Sequence, residues 1–246
     1  SADALSIGAI RAIIGAIGLL IIALFDGRNR TRPSWPWLLI FVGAIGVAGG
    51  QLSFFTAVDR AGVAASTVLT IGVAPIFTGI LSALYLHQRP SRIWVVATIV
   101  AVAGSTLMVL GTDDTVGGDP VGLLFAVLGG LGYAVFVTAS KRMLELGLAS
   151  VDVTASIFCG AALMLIPVFF LGNWHWVLEP RGAAVALYLG IATNTVPYLL
   201  FGLGLTLVPV ATAATLTLME PLTATLLGVV WLGERLTLLQ WTGVAF

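Results

Sequence analysis

Charged residues are scarce in this sequence, where Asp, Glu, Lys and Arg make up only 9% of 246 residues. A soluble globular domain carries about 25% charged residues, so this chain has too few to cover a water-exposed surface of its size. The formal net charge is zero, which gives no basis for binding nucleic acid. The scarcity of charge therefore excludes an ordinary soluble domain and indicates that lipid is the solvent.

Cysteine and histidine are nearly absent as well. Cys159 is the single cysteine, so the sequence excludes an intramolecular disulfide and a cysteine metal cluster. His87 and His175 fall at predicted helix ends, without other ligands at metal-binding spacing. The sequence contains no HExxH, no GxSxG and no dense carboxylate motif. We therefore expect no metal, no cofactor and no enzyme activity.

Long apolar runs dominate what is present, since hydrophobic residues make up 59% of the chain. A membrane helix needs about 20 mostly apolar residues. Runs of this kind predict eight spans, at 4–25, 36–58, 62–86, 92–111, 120–140, 151–171, 183–205 and 210–232. A ninth run begins near residue 236 and stops at Phe246. The polar connectors are too short for a soluble domain, so we predict an all-α membrane protein.

The basic residues of the predicted loops are distributed unevenly between the two sides of the membrane. Lys and Arg mark the cytoplasmic side. Seven lie on one side, namely Arg28, Arg30, Arg32, Arg89, Arg92, Lys141 and Arg142, and three on the other, namely Arg60, Arg181 and Arg235. We therefore expect a multi-pass protein of the cell (plasma or inner) membrane, with the larger set in the cytoplasm.

An internal repeat relates two parts of the chain. A shift of 146 residues places Pro75 on Pro221. The same shift aligns Phe55 with Phe201, Ala65 with Ala211, Leu86 with Leu232 and Arg89 with Arg235. The repeat predicts about ten helices in two five-helix halves, 1–111 and 112–246, with the first helix missing from this chain and the last one truncated. Because five is odd, the second half is expected to be inverted, as in many secondary transporters.

Two segments, 51–111 and 198–246, each resemble the third-to-fifth helices of one repeat in the EamA branch of the drug/metabolite transporter superfamily. The marks are a helix that breaks at proline, a GER-like loop (GER at 233–235, HQR at 87–89) and a glycine-containing helix after it. Arg11 resembles the family's arginine early in its second span, which implies pairing with an acid in another helix. The resemblance implies a transporter that exports amino acids, other metabolites or toxic compounds.

Glu220 is the sharpest polar residue inside a predicted span, where a charge costs roughly 2.5–3.5 kcal/mol on insertion scales. It directly precedes Pro221, and proline kinks or opens a membrane helix. Freed carbonyls beside a carboxyl suit a cation, a proton or a substrate amine. Glu220 is therefore our candidate coupling acid, and a protonated acid hydrogen-bonded between helices is the alternative.

Amides lie beside aromatic rings at two further places, Gln51 with Phe55 and Asn194 with Tyr198. Such walls suit an amphipathic organic molecule, although amides also hold membrane helices together. Tyr133 follows glycines that leave room for a ligand or for close packing. The predicted substrate-binding residues are Gln51, Phe55, Tyr133, Asn194, Tyr198 and Glu220. They would lie near the midplane, between helices 36–58 with 62–86 and 183–205 with 210–232.

These features predict a secondary transporter of small metabolites that works across the cytoplasmic membrane by alternating access, and the resemblance implies that it exports substrates such as amino acids. Its expected partners are a small-molecule substrate, the lipid bilayer and protons, and the sequence gives no oligomeric state. A drug or toxic-compound efflux pump is the nearest alternative. A channel would need a filter segment or rings of charge, and a membrane enzyme would need a catalytic cluster; the sequence contains neither.

Overall fold

The computed structural model describes residues 4–26, 34–110, 119–232 and 236–245, and within these ranges every regular element is helical. The α-helices are α1 (Ala4–Phe25), α2 (Trp37–Ala61), α3 (Val63–Tyr85), α4 (Arg92–Leu110), α5 (Pro120–Glu145), α6 (Ser150–Leu171), α7 (Pro180–Gly190), α8 (Val196–Leu207), α9 (Val210–Leu216), α10 (Met219–Leu227) and α11 (Leu238–Ala245). A 3-10 turn spans His175–Leu178, and wider π turns span Ile191–Thr195 and Gly228–Leu232. The predicted all-α class is confirmed.

Seven of the described helical segments are long and apolar enough to cross a membrane. They are Leu5–Phe25, Trp37–Ala61, Val63–Tyr85, Pro120–Glu145, Ser150–Leu171, Pro180–Leu207 and Val210–Trp231, and they match seven of the predicted spans. The span predicted at 92–111 is α4, whose apolar stretch Arg92–Met108 is shorter. Exposed leucines and phenylalanines, such as Leu24, Phe25 and Leu171, cover the outer faces of the helices, as a lipid solvent permits. The arrangement as ten helices in two inverted repeats stays a prediction.

Part of the predicted orientation rests on residues outside the described ranges. These are Arg28, Arg30, Arg32 and Arg235, and the GER sequence at 233–235 lies outside the described ranges as well. The placement of the larger basic set in the cytoplasm therefore stays a prediction.

Helices α2 and α5 pack closely because both carry glycine at their contact. A Cβ atom added to Gly132 of α5 would lie 2.7 Å from the carbonyl oxygen of Gly46 and 2.7 Å from Cα of Gly50, both on α2. These backbone atoms leave no space for a larger side chain, and small residues are what lets membrane helices approach. Next to this contact, α1 and α6 bury large side chains such as Leu19 and Phe158.

The two aligned prolines have different effects on their helices. Helix α3 continues through Pro75, so the expected break is wrong there. Before Pro221 the helix is interrupted, with α9 ending at Leu216 and α10 beginning at Met219. Proline cannot donate to the carbonyl four residues earlier, which here belongs to Thr217. That carbonyl instead accepts the N–H of Glu220 at 3.0 Å, three residues away.

The span predicted at 183–205 is also irregular. Its two α-helices, α7 and α8, are joined by the π turn Ile191–Thr195, in which the N–H of Val196 donates to the carbonyl of Ile191. Pro197 follows at once, and its missing N–H explains why the regular ladder is lost at this point. Wider turns of this kind occur frequently at functional sites.

Candidate functional site

Arg11 of α1 lies at the centre of the predicted site residues. Its Nη2 donates to Oε1 of Gln51 at 2.9 Å. The guanidinium carbon lies 5.6 Å from the centroid of the Phe55 ring, within the range of a cation–π contact. Gln51 and Phe55 are neighbours on one face of α2, so together they hold the guanidinium in place. The direct polar partner of Arg11 is thus an amide, not the acid that the resemblance implied.

Asn194 reaches the same part of α1 from the π turn. The side chain is fully buried, and its Nδ2 donates to the backbone carbonyl of Arg11 at 2.8 Å. The approach depends on glycine, because a Cβ atom on Gly15 of α1 would lie 2.6 Å from Cβ of Asn194. The neighbouring Thr195 donates to the carbonyl of Gly15 at 3.3 Å. The irregular turn is therefore fixed against α1 within one helical turn of Arg11.

Aromatic rings form one side of this region. We call Tyr133, Phe136, Phe158, Tyr198 and Phe201 the aromatic cluster. Ring centroids are 4.5 Å apart between Phe158 and Tyr198, 6.1 Å between Phe136 and Phe201, and 6.2 Å between Tyr133 and Phe201. Such edge-on and tilted pairs are favourable and hold the rings in fixed orientations. The cluster joins α5, α6 and α8, and in it Tyr133 and Tyr198 each contact Phe136 and Phe201.

Glu220 lies in the first turn of α10, immediately after the helix break. Its carboxyl group interacts electrostatically with Arg11 and with the two cluster tyrosines. It also lines a cavity of about 340 Å³ between α3, α4, α10 and α11, together with Thr67, Met108 and Gln240. Glu220 therefore both interacts with Arg11 and lines the cavity beside α10.

Thr217 and Thr223, three residues to either side of Glu220, form hydrogen bonds within their own helices. The Thr217 hydroxyl donates to the carbonyl of Ala214 at 2.7 Å, and the Thr223 hydroxyl donates to that of Met219 at 2.7 Å. Their protons are thus used by their own helices. The interactions of the Glu220 carboxyl group are with groups on other helices.

The structure brings all six predicted residues into the region around Arg11. Gln51 and Phe55 contact its side chain, and Asn194 contacts its backbone. Tyr198 and Glu220 interact with its charge, and Tyr133 joins through the rings. The predicted set did not include Arg11 itself, although a charge inside an apolar run was a signal for it. Among the described residues, no three His, Cys, Asp or Glu side chains are arranged to hold a metal ion.

Two basic residues act at the ends of the helices. Lys141 of α5 donates through Nζ to the carbonyls of Leu205 (2.7 Å) and Val208 (2.9 Å), at the C-terminal end of α8. Cations are favourable at this end of a helix. Arg60, at the end of α2, pairs with Asp119 at 3.1 Å. The Val121 N–H, followed by Arg60, holds the pKa of Asp119 below its ordinary value of 3.8.

The family model and two relatives that match this chain are all described as transporters. The model of the EamA-like transporter family matches residues 1–110 and 120–246. The uncharacterized transporter YwfM of Bacillus subtilis (strain 168) is 38% identical over 245 residues, covering 100% of this chain and 82% of its own length. The threonine/homoserine exporter RhtA of Escherichia coli (strain K12) is 32% identical over 240 residues, covering 94% of this chain and 75% of its own. A crystal structure with 20% identity has a TM-score of 0.80, covers 100% of this chain and 84% of that one, and supports the fold alone.

Proposed function

The chain belongs to the EamA-like transporter family, within the drug/metabolite transporter superfamily, and from this premise we propose that it exports small amino acids by alternating access. It is a multi-pass protein of the cell membrane, and its family and relatives are transporters rather than enzymes. The observation that carries the proposal is a cluster of polar and aromatic side chains around Arg11, inside membrane-spanning segments. A relative named as a threonine/homoserine exporter supports the substrate class.

The side chains around Arg11 have the chemistry that a small amphipathic substrate needs. Gln51 and Asn194 supply amides, Glu220 supplies a carboxyl group, and Tyr133, Tyr198 and Phe55 supply rings. Ligand sites are mostly apolar with a few placed polar groups, and this combination fits that description. Ionisable groups inside a membrane usually mark a substrate or proton path.

The origin of the side chains around Arg11 supports the proposal of alternating access. Gln51 and Phe55 come from the first predicted half of the chain, and the other four predicted residues come from the second. Rocking one half against the other would expose the same residues first to one side and then to the other. Glu220, which interacts with Arg11 and lines the cavity beside α10, is the residue we propose to take up and release the coupling proton.

Counterflow in proteoliposomes carrying the full-length protein tests the proposal. Vesicles are loaded with pooled unlabelled amino acids, and labelled ones are offered outside. We expect saturable accumulation of threonine, homoserine or similar small amino acids. Absence of accumulation from a verified, folded preparation would overturn the amino-acid proposal, and flux of a cationic drug in the same vesicles would favour the efflux-pump alternative.

A matched pair of phenylalanine variants locates the site. Phe55→Ala removes the ring beside Arg11, and Phe41→Ala removes a ring on the same helix that is 55% exposed and faces away from the core. We expect Phe55→Ala to raise the KM for the amino acid and Phe41→Ala to leave it unchanged. Equal KM values for the two variants would contradict the site.

A further inference from the structure

One buried polar atom on Arg11 and one on Asn194, whose side chain contacts the Arg11 backbone, have no hydrogen-bond partner within the part of the chain that the structure describes. They are Nε of Arg11, a donor, and Oδ1 of Asn194, an acceptor. The great majority of buried polar side-chain atoms in proteins are paired, so each unpaired atom calls for an explanation. A donor and an acceptor left open in the same region are complementary to a ligand that carries both an anion and a cation.

The guanidinium of Arg11 is held in a way that suits a carboxylate. Gln51 binds Nη2 at 2.9 Å, and the Phe55 ring lies 5.6 Å from the guanidinium carbon. Both contacts come from α2, and they leave Nε–H available. Arginine presents several donors in a rigid planar fork that matches a carboxylate, and these charge-assisted bonds are stronger than neutral ones. A fork fixed in advance loses less side-chain entropy when the ligand binds.

Glu220 is the acidic residue that interacts with Arg11. Glu220 and Arg11 interact electrostatically, and the two side chains, both within the described residues, form no direct ion pair. A free α-amino acid carries a carboxylate and an ammonium group on the same carbon atom, so it can bridge the two charges. The Glu220 carboxyl group and Oδ1 of Asn194 are both acceptors for the ammonium group. The aromatic cluster would then receive the remainder of the substrate.

We propose that Arg11 binds the carboxylate of the transported amino acid through Nε, and that Glu220 with Asn194 binds its ammonium group. This inference rests on the proposed function and adds a substrate requirement to it. A carboxylate is required for tight binding, so amides and amines of the same size are poor ligands. The requirement depends on Arg11.

The test measures counterflow of labelled L-threonine, with unlabelled L-threonine and L-threonine amide as competitors. For the wild-type full-length protein we expect the amide to compete about 10- to 100-fold more weakly, the range for a lost hydrogen bond to a charged group. Arg11→Gln should raise the KM for threonine by a similar factor and remove the preference over the amide. Arg11→Lys, which keeps the charge, should restore part of that preference.

Arg60→Gln is the matched control, because it removes an arginine that pairs with Asp119 at the end of α2, away from the site. It should keep the wild-type preference. If Arg11→Gln does not give a monodisperse, folded protein, Arg11→Lys alone decides, with an increase in KM as the expected result. An Arg11→Gln protein that keeps the full preference for threonine would overturn the inference and leave the proposed function standing. A wild-type protein that accumulates no amino acid would overturn both.

Discussion

Two helical hairpins that a shift of 146 residues aligns in the sequence differ in the structure. The first hairpin (37–85) consists of the continuous helices α2 and α3, joined at Gly62. The second hairpin (180–227) is interrupted twice, at the π turn Ile191–Thr195 and before Pro221. Asn194 and Glu220 lie at these two interruptions, whereas Gln51 and Phe55 lie in a regular helix. An irregular backbone thus places two polar candidates of the site.

Packing explains why equivalent prolines act differently. Helix α3 lies tightly on α5, where Thr70 donates to the carbonyl of Ala126 at 2.9 Å. A Cβ atom on Gly130 of α5 would lie 2.7 Å from the carbonyl oxygen of Thr70. Helix α10 has no buried residue among those described, so no comparable surface holds it straight. Proline opens a helix only where its neighbours allow it.

Overfilling the contact between α3 and α5 should have the largest effect on stability. Gly130→Val would force atoms against Val73 and the Thr70 carbonyl, and overpacking of this kind costs typically 1–3 kcal/mol, here about 3 because backbone must move. Thermal unfolding in detergent, followed by tryptophan fluorescence, should show a clearly lower Tm. Gly204→Val is the control, because a Cβ atom there has no neighbour within 4 Å. Similar Tm values for the two variants would contradict this account of α3.

The connection of the second hairpin depends on Lys141. Lys141→Met removes two charge-assisted hydrogen bonds to the carbonyls of Leu205 and Val208, and we expect a loss of about 2 kcal/mol of stability. The same fluorescence measurement gives the Tm. Arg142→Met is the neighbouring control, because Arg142 pairs with Glu145 on its own helix at an exposed position. If Lys141→Met were as stable as this control, the hydrogen bonds from Lys141 would not contribute to stability.

Removing the helix break should weaken substrate binding. In Pro221→Ala the new N–H can donate to the Thr217 carbonyl, so α9 and α10 can join and move Glu220. We expect the KM for the amino acid in counterflow to rise roughly tenfold, equivalent to about 1.4 kcal/mol of binding. Pro75→Ala, in a helix that is already continuous, is the control and should leave the KM unchanged. Equal KM values for the two variants would show that the helix break does not contribute to substrate binding.

The smallest effect is expected beside the turn of the first hairpin, where the half-exposed Asp119, directly before α5, pairs with Arg60. Its pKa is held below 3.8, chiefly by the Val121 N–H and then by Arg60, so its stabilisation is complete above that pH. The stabilisation is lost as the pH falls through the lowered pKa. The Tm difference between wild type and Asp119→Ala should therefore be small at neutral pH and vanish well below pH 3.8. A difference that grows on acidification would reverse the assigned sign.

Most of the fold was predictable because a membrane helix is recognisable from a local run of apolar residues. Apolar runs of sufficient length predicted seven of the spans that the structure describes. Pro221 predicted the break between α9 and α10. The continuity of α3 was not predictable, because it depends on Gly130, which lies far along the chain. A local rule for proline does not include the neighbouring helix, whose packing decides whether the helix breaks.

The candidate site was partly predictable for the same reason. Polar residues inside apolar runs, such as Gln51, Asn194 and Glu220, stand out in the sequence. The partner of Arg11 was not predictable, since its contact with Gln51 joins two helices whose rotation is fixed only by packing. Lys141 is predicted as a basic loop residue that sets the membrane orientation. Nothing in the sequence places it beside the C-terminal end of α8.

The measurement that tests the central claim most directly is proton-driven transport by the wild-type protein and by Glu220→Gln. Full-length protein is reconstituted in vesicles, and uptake of the amino acid identified by counterflow is measured with and without an imposed pH gradient. We predict that the gradient increases transport by the wild type and has no effect on Glu220→Gln, which should still catalyse counterflow with a higher KM, because Gln has no charge for the substrate ammonium group. A variant that keeps the full response to the gradient would contradict the role of Glu220 as the coupling acid.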